Sequence, residues 1–327
     1  MSSGHTPLCS SAEPSVGVVV VTWRAREHLC HCLPPLLASP LRPRVLVVNS
    51  SSNDGTVERA AEMGADTLVV PRAEFNHGLT RELARRHLGT DIVVMLTPDA
   101  YATDVGFVGR LTAPIRSGEA VVAYGRQVAR PGAGLFERFP RDFNYPAKSQ
   151  LRSLADWDRY GSYTHFCSNA CAAWKNEALD AIGGFPTTLV SEETIAVAQL
   201  LERGGRIAYV ADAVVVHSHA YGLVDEFRRH FDIGYTRRRF GHLLRARERD
   251  EVRGRRYASD LLRLVRRKRP LLLLQAVGHL GAKYLGFRVG LLGPRLPVWL
   301  ARRLSGQDFY WSSTVVAGRP GLALAGT

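Results

Sequence analysis

Cysteine is scarce in this chain of 327 residues. The five present (Cys9, Cys30, Cys32, Cys167 and Cys171) are odd in number and scattered, so no disulfide framework is expected. Neither Cys30-His31-Cys32 nor the Cys167/Cys171 pair has a second half at zinc spacing, and small buried side chains are the favoured reading of both. No uncharged apolar run reaches the ~18 residues that span a bilayer. The opening MSSGHTPLCSSAEPS has neither a basic n-region nor an apolar h-region, so a secretory leader is not expected and a reducing cytoplasm is. The phosphate-binding signatures GxGxxG and GxxxxGKS/T are also missing, which argues against a dinucleotide fold and a P-loop.

What is there is ordinary for a folded protein: 46% hydrophobic and 22% charged residues, with 30 Gly and 17 Pro, a balance that excludes disordered, collagen-like and mini-protein classes. The length allows two domains of ~150 residues, or one large α/β unit with an appendage. The net charge of +13 is unevenly placed. Residues 226–327 carry 22 basic and 7 acidic side chains, whereas residues 1–225 carry 21 and 23. A near-neutral front is thus followed by a basic tail suited to a polyanionic surface.

The front alternates strands with helices. Val16–Thr22 and Arg44–Val48 are short apolar runs of the kind buried on both faces of a parallel sheet, and Thr67–Val70 and Asp91–Leu96 read as a third and a fourth strand. Between them, His28–Leu37, Thr56–Met63 and Thr80–His87 read as helices. Such units imply right-handed crossovers and a ligand crevice beyond the carboxyl ends of the strands. Thr22, the Asn49–Asp54 segment and Thr97–Asp99 all fall at that edge. Residues 125–190 are less regular and rich in aromatics, from Phe136 to Phe166, which suit either a core or a groove that stacks on rings. A helix is expected over 191–204 and short strands over 206–210 and 213–217. In the tail, 237–256 is dense in arginine. Leu273, Val277, Leu280, Tyr284, Phe287 and Leu291 then recur at helical spacing, a stripe fit for an anionic membrane surface or for packing on the body.

Several residues could carry chemistry. Asn49-Ser50-Ser51-Ser52-Asn53-Asp54-Gly55-Thr56 joins a strand to a helix start; it serves either as an ordinary cap or as a cradle for a base, ribose or phosphate. Asp99 closes an apolar strand, where a carboxylate is costly unless solvated, paired or metal-bound. Glu192 and Glu193 diverge by about 100° on a helix, so only one can enter a given pocket. Either partners the helix dipole or accepts a proton. His217 and His219 share a face if their strand continues, as structural residues or as metal ligands.

The order of these features is similar to a family 2 glycosyltransferase of the GT-A fold, and within it to the bacterial rhamnosyltransferase group. The resemblance rests on Thr22, NSSSNDGT (49–56), EFNHGLTRELA (74–84), TPDA (97–100), AYGRQ (123–127), ERFPRDFNYP (137–146), FCSNACAAW (166–174), GGFP (183–186), AYVADAVVVHSH (208–219), FDIGY (231–235) and LPVWLARRLS (296–305). It implies an α/β, Rossmann-like, mostly parallel sheet flanked by helices, with a basic amphipathic helical C-terminal extension. The implied organisation is a disordered segment over 1–14, a catalytic domain over 15–235 with donor and acceptor halves meeting near 125, and a membrane-associating region over 236–327.

By the same resemblance, Thr22, Asn49 and Asp54 line the nucleoside pocket of a nucleotide-sugar donor, and His77, Gly78 and Arg81 lie along its base and phosphate side. Asp99 is the surviving carboxylate of a metal-binding DxD position, with His219 or His217 as a late ligand for Mg²⁺ or Mn²⁺. Glu193, or failing that Glu192, is the catalytic base. The implied reaction is inverting transfer, of L-rhamnose from dTDP-rhamnose, to a lipid-linked or cell-surface glycan at the cytoplasmic face of a bacterial plasma membrane. Other nucleotide sugars, or an inactive assembly partner, are the alternatives. Asn49, Thr97 and Glu193 stand where the family often has aspartate. Nucleic acid is not an expected partner, because residues 237–256 interleave only Phe240 with their arginines.

Overall fold

The structure, a computed structural model, describes residues 13–244 and 250–314. Cys9, nearly all of the segment expected to be disordered, and the end of the basic tail lie outside these residues. In chain order the front half comprises β1 (Val16–Thr22), α1 (Arg26–Cys32), α2 (Pro34–Leu37), β2 (Arg44–Asn49), α3 (Thr56–Glu62), β3 (Asp66–Val69), α4 (His77–Leu88) and β4 (Ile92–Leu96). The rest comprises β5 (Tyr101–Ala102), α5 (Phe107–Arg116), β6 (Val122–Val128), α6 (Leu135–Asn144), β7 (Gln150–Arg152), α7 (Trp157–Tyr160), β8 (Cys171–Lys175), α8 (Asn176–Ala181), α9 (Glu192–Glu202) and β9 (Ile207–Val216). The helical C-terminal part follows as α10 (Leu223–Arg239), α11 (Gly241–Leu244), α12 (Asp250–Lys268), α13 (Leu273–Leu292), α14 (Val298–Leu304) and α15 (Asp308–Ser312).

One nine-stranded sheet runs β3-β2-β1-β4-β8-β6-β9-β5, with β7 also on β9. β1 is its hinge. It pairs in parallel with β2 on one side and β4 on the other. The strand order therefore reverses between β1 and β4, where parallel sheets open a crevice. Alternation along β1 sends Val16, Val18 and Val20 into the core under α1, α2 and α5, and Val19 and Val21 into the core under α4, α8 and α9. Each fully buried valine contributes about 1.5–3 kcal/mol, so this strand alone anchors both layers.

The parallel pairing expected for the first four strands holds through β4, and the pairing beyond it is mixed. β8 lies antiparallel to both β4 and β6, while β6 and β9 are parallel. These reversals bring the start of β8 and the ends of β6 and β9 to the same edge as the carboxyl ends of β1, β2 and β4. β9 is one ten-residue strand where two short ones are expected, and its register with β6 shifts at Gly125/Arg126. The expected helix over 28–37 breaks at Leu33 before Pro34, since proline cannot donate within a helix. α4 starts three residues before the expected Thr80, because Asn76 caps it by accepting from the backbone of Gly78 and Leu79.

α13 meets α10 through small residues, while Leu280 of the apolar stripe packs against the cluster of Phe139, Leu261 and Val265. On α13 the buried positions are Ala276, His279, Gly286 and Gly290. A Cβ at Gly286 would collide with the carbonyl of Phe227, and one at Gly290 with that of Phe231, so α10 and α13 meet backbone to backbone. Val277 and Tyr284 of the stripe stay more than half exposed.

Candidate active site

At the carboxyl end of β2, buried Asn49 sits beside Thr22 in register. Its amide donates to Thr22 Oγ1 at 3.2 Å and to Ser52 Oγ at 2.8 Å, and its Oδ1 accepts from the Ser52 backbone at 2.8 Å. Ser52 and Thr56 each donate to Asp54 Oδ1 at 2.7 Å, and the Arg26 backbone donates to Oδ2 at 3.3 Å. Burial alone would raise the Asp54 pKa, but these donors outweigh it and hold the carboxyl below its ordinary range. The three expected nucleoside-side residues thus form one ordered loop. Beside it lies Trp23, 47% exposed, with the Arg72 guanidinium 4.5 Å from its ring centroid. The sequence reading missed this pair, although Trp23 directly follows Thr22.

The acidic pair begins α9, opposite α4. Ser191 before it has a left-handed φ of 65°, which costs a non-glycine residue ~1–2 kcal/mol. The chain is held there by Asn76, whose amide donates to Thr188 O at 2.9 Å, and by Thr188 Oγ1, which donates to Val190 O at 2.8 Å. Glu192 turns inward. It pairs with Arg81, also buried, and accepts from Asn169 Nδ2 at 3.1 Å. Burial pushes the Glu192 carboxyl up, but Arg81 foremost brings it below the ordinary glutamate value. Glu193 is only partly buried. Its pKa is raised to about 8, first by desolvation and then by the charge of Glu192.

The residues expected along the donor's base and phosphate side are placed differently from one another. Gly78 packs against the Pro186 carbonyl, where no Cβ fits. His77 stands edge-on between Phe75 and Phe309, at 5.1 and 5.3 Å, and burial lowers it to about 4. Arg81 is directed into the interior toward Glu192, so it presents no open face to a phosphate.

Asp99, His217 and His219 converge, with one ligand atom from each lying within 4.8 Å of the others. His217 Nε2 is 3.5 Å from Asp99 Oδ1, His219 Nε2 is 3.3 Å from Oδ2, and the two imidazole nitrogens are 3.1 Å apart. β9 ends at Val216, so the strand expected to carry the histidines stops just before them; both nevertheless face Asp99, while Ser218 between them donates to Glu137 at 2.6 Å. Burial would raise the Asp99 pKa, but the hydrogen bond and charge of His217 hold it far below the usual carboxylate range. Burial, aided by His217, lowers His219 to about 4, so its ring is neutral and able to ligate near pH 7. Gln127 on β6 orients the set, with its Oε1 at 2.9 Å from His217 Nδ1 and its Nε2 donating to Ser168 Oγ at 3.0 Å. One carboxylate and two imidazoles make a donor set able to hold a divalent cation.

Ser168 and Asn169 are neighbours in the chain, so the Asp99 trio and the acidic pair are joined through Gln127–Ser168 on one side and Asn169–Glu192 on the other. Gln127, Ser168 and Asn169 fall within stretches that carry the resemblance, yet as single polar residues after apolar strands they give no periodic signal. The nucleoside-side loop, the trio and the acidic pair stand along one edge of the sheet.

A family model described as glycosyl transferase family 2 matches residues 17–183. The O-antigen chain rhamnosyltransferase RfbN of Salmonella typhimurium is 28% identical over 309 residues, covering 91% of this chain and 96% of its own length. The O-antigen chain rhamnosyltransferase WbaN of Salmonella anatum is 29% identical over 279 residues, covering 83% and 86%. Among solved structures, the mannosyltransferase PcManGT from Pyrobaculum calidifontis, in complex with GDP-Man and Mn²⁺, has a TM-score of 0.56 at 17% identity, covering 97% of this chain and 89% of that one, a likeness of fold.

Proposed function

The chain belongs to glycosyl transferase family 2, and from that premise we propose an inverting transfer of L-rhamnose from dTDP-rhamnose to a hydroxyl of a lipid-linked glycan. The observation that carries this reading is the continuous linkage from Asp99, His217 and His219 through Gln127, Ser168 and Asn169 to Glu192 and Glu193. It joins a site for a charged leaving group to a carboxylate suited to take a proton. The rhamnosyl donor is supported by RfbN and WbaN, two relatives that span most of the chain.

Glu193 accepts the proton of the acceptor hydroxyl as that oxygen attacks the anomeric carbon. A pKa near 8 suits the task, because a base that titrates near the working pH couples availability with driving force. Glu192 keeps its charge on Arg81, and its field sustains the basicity of its neighbour. The Thr22–Asn49–Asp54 loop receives the nucleoside, with Trp23 at its mouth. Asp99, His217 and His219 would hold a divalent cation, whose charge offsets that of the departing diphosphate. Two nitrogen donors favour Mn²⁺ over Mg²⁺, which prefers oxygen ligands.

The catalytic domain extends from about residue 15 to 235, and the helical region beyond it holds the enzyme to an anionic membrane at the cytoplasmic face. Supporting this, Leu271 and Leu274 are 97% and 85% exposed next to the Arg266-Arg267-Lys268-Arg269 run. No helix among the described residues is long and apolar enough to cross a membrane.

A panel of nucleotide sugars, screened for thermal stabilisation with Mn²⁺ or Mg²⁺ and then for transfer, tests the reading. dTDP-rhamnose should stabilise most and give a product of opposite anomeric configuration. Preference for UDP-galactose, UDP-N-acetylgalactosamine or UDP-N-acetylglucosamine would reassign the donor. Binding without transfer to any acceptor would indicate an assembly partner.

A further inference from the structure

Beyond the Asp99 trio, on the side away from the nucleoside loop, a cleft of about 1850 Å³ opens between α6, α10, α12 and α13 and reaches His219. A drug-sized ligand fills a pocket of ~300–1,000 Å³, so this one suits a longer molecule. Its walls are partly aromatic, with Phe136, Phe143, Tyr257 and Phe287. Its carboxylates are already matched: Glu226 to Lys283 at 2.6 Å, Glu137 to Arg130 at 2.7 Å, and Glu251 to Arg255 at 3.2 Å.

Two of its arginines, those that act on His219, make no ion pair among the described residues. Arg141 on α6 has a buried Nε without a hydrogen-bond partner, and among the described residues no carboxylate pairs with it. Arg229 on α10 has only the Tyr221 hydroxyl, at 3.4 Å and beneath its guanidinium. The two guanidinium groups act on each other, and both act on His219, so they are neighbours at the inner end of the cleft. Two like charges drawn together in a partly desolvated wall, with Asp99 and Asp232 acting on them only from beyond ion-pair distance, are poised for an anion. The outer end carries Tyr284 and Leu292, both more than half exposed, on the same helix that begins beside Leu271 and Leu274.

We propose that this cleft is the acceptor channel, in which Arg141 and Arg229 bind the diphosphate of a lipid-linked acceptor while the aromatic walls take the start of its lipid. The inference rests on the lipid-linked acceptor given above and adds the residues that select it. It assigns the arginines to the acceptor rather than to the donor, because the nucleoside loop lies across β1 and β4 on the opposite side of Asp99.

The test is calorimetric binding of farnesyl diphosphate, farnesol and dTDP to the full chain and to Arg141→Gln and Arg229→Gln, with the melting temperature of each variant as a folding control. Farnesyl diphosphate should bind the unmodified protein at least tenfold more tightly than farnesol. Each substitution should weaken farnesyl diphosphate by about tenfold or more, as expected for a charge-assisted hydrogen bond, and leave dTDP within about twofold. Equal binding of farnesyl diphosphate and farnesol would overturn the anion site. A fall in dTDP affinity in step with farnesyl diphosphate would give the arginines to the donor and also overturn it. Failure of the unmodified protein to bind dTDP, with farnesyl diphosphate still bound in an arginine-dependent way, would sink the transferase reading and leave the channel standing.

Discussion

Arg81, on α4, and Glu192, in the first turn of α9, form an ion pair in the interior beside the partly buried Glu193. Glu193, next along the helix, feels the charge of both members of that pair. The Arg81 guanidinium is directed to Glu192 inside the protein.

Arg81→Met should destabilise the protein by about 3–5 kcal/mol, since it leaves the Glu192 charge buried without a partner. Arg81→Met combined with Glu192→Gln should recover a large part of that loss. Urea unfolding of the single and double variants checks both expectations, and additive losses would count against the pair.

The rate should follow the ionisation of Glu193. Transfer should fall as pH drops through about 8, well above the ordinary glutamate range. Glu192→Gln removes a charge that raises this value and frees Arg81 to lower it, so the acid limb should move to lower pH. Stability should respond in the opposite sense. A carboxyl raised from 4.5 to about 8 in the folded state contributes stability that is present below 4.5 and lost as pH rises toward 8. Glu193→Gln should thus gain on the unsubstituted protein across that window, by up to about 1.4 kcal/mol for each pH unit crossed. Paired pH profiles of rate and melting temperature measure the two effects together.

Gln127→Ala should weaken Mn²⁺ binding by about 10–100-fold, because it releases the His217 ring from its hydrogen-bonded orientation. Mn²⁺ titration followed by electron paramagnetic resonance reads this directly. An unchanged affinity would mean that His217 is not a ligand.

Membrane attachment should depend on charge and on the exposed leucines jointly. Arg266→Gln, Arg267→Gln and Lys268→Gln together should cost ~3 kcal/mol of affinity for phosphatidylglycerol vesicles, at about 1 kcal/mol for each cation. Leu271→Asp with Leu274→Asp should also release the protein. Sedimentation with vesicles of matched size measures both, with neutral phosphatidylcholine as the control.

The parts legible in the sequence are those built by repetition. The β-branched runs of β1, β2 and β4 announce a buried parallel sheet, and the loops after them mark the edge where ligands gather. Single contacts are what pattern cannot carry. β8 reads CAAWK, whose small alanines give no strand signal until β4 and β6 are seen to flank it. The start of α4 is set by one asparagine cap. On α13 the apolar stripe is the stronger periodic signal, but Gly286 and Gly290 make the close approach to α10, because packing there rewards the absence of a side chain. Asp99, His217 and His219 stand out as candidates in the sequence, whereas the Gln127–Ser168–Asn169 connection emerges only when three strands are placed side by side.

The most direct test is single-turnover transfer by Glu193→Gln at saturating donor. The expected result is a loss of about 10²–10⁴-fold, the usual contribution of a general base, with donor affinity unchanged. Turnover within a few-fold of the unsubstituted enzyme would contradict the assignment of Glu193 as the base.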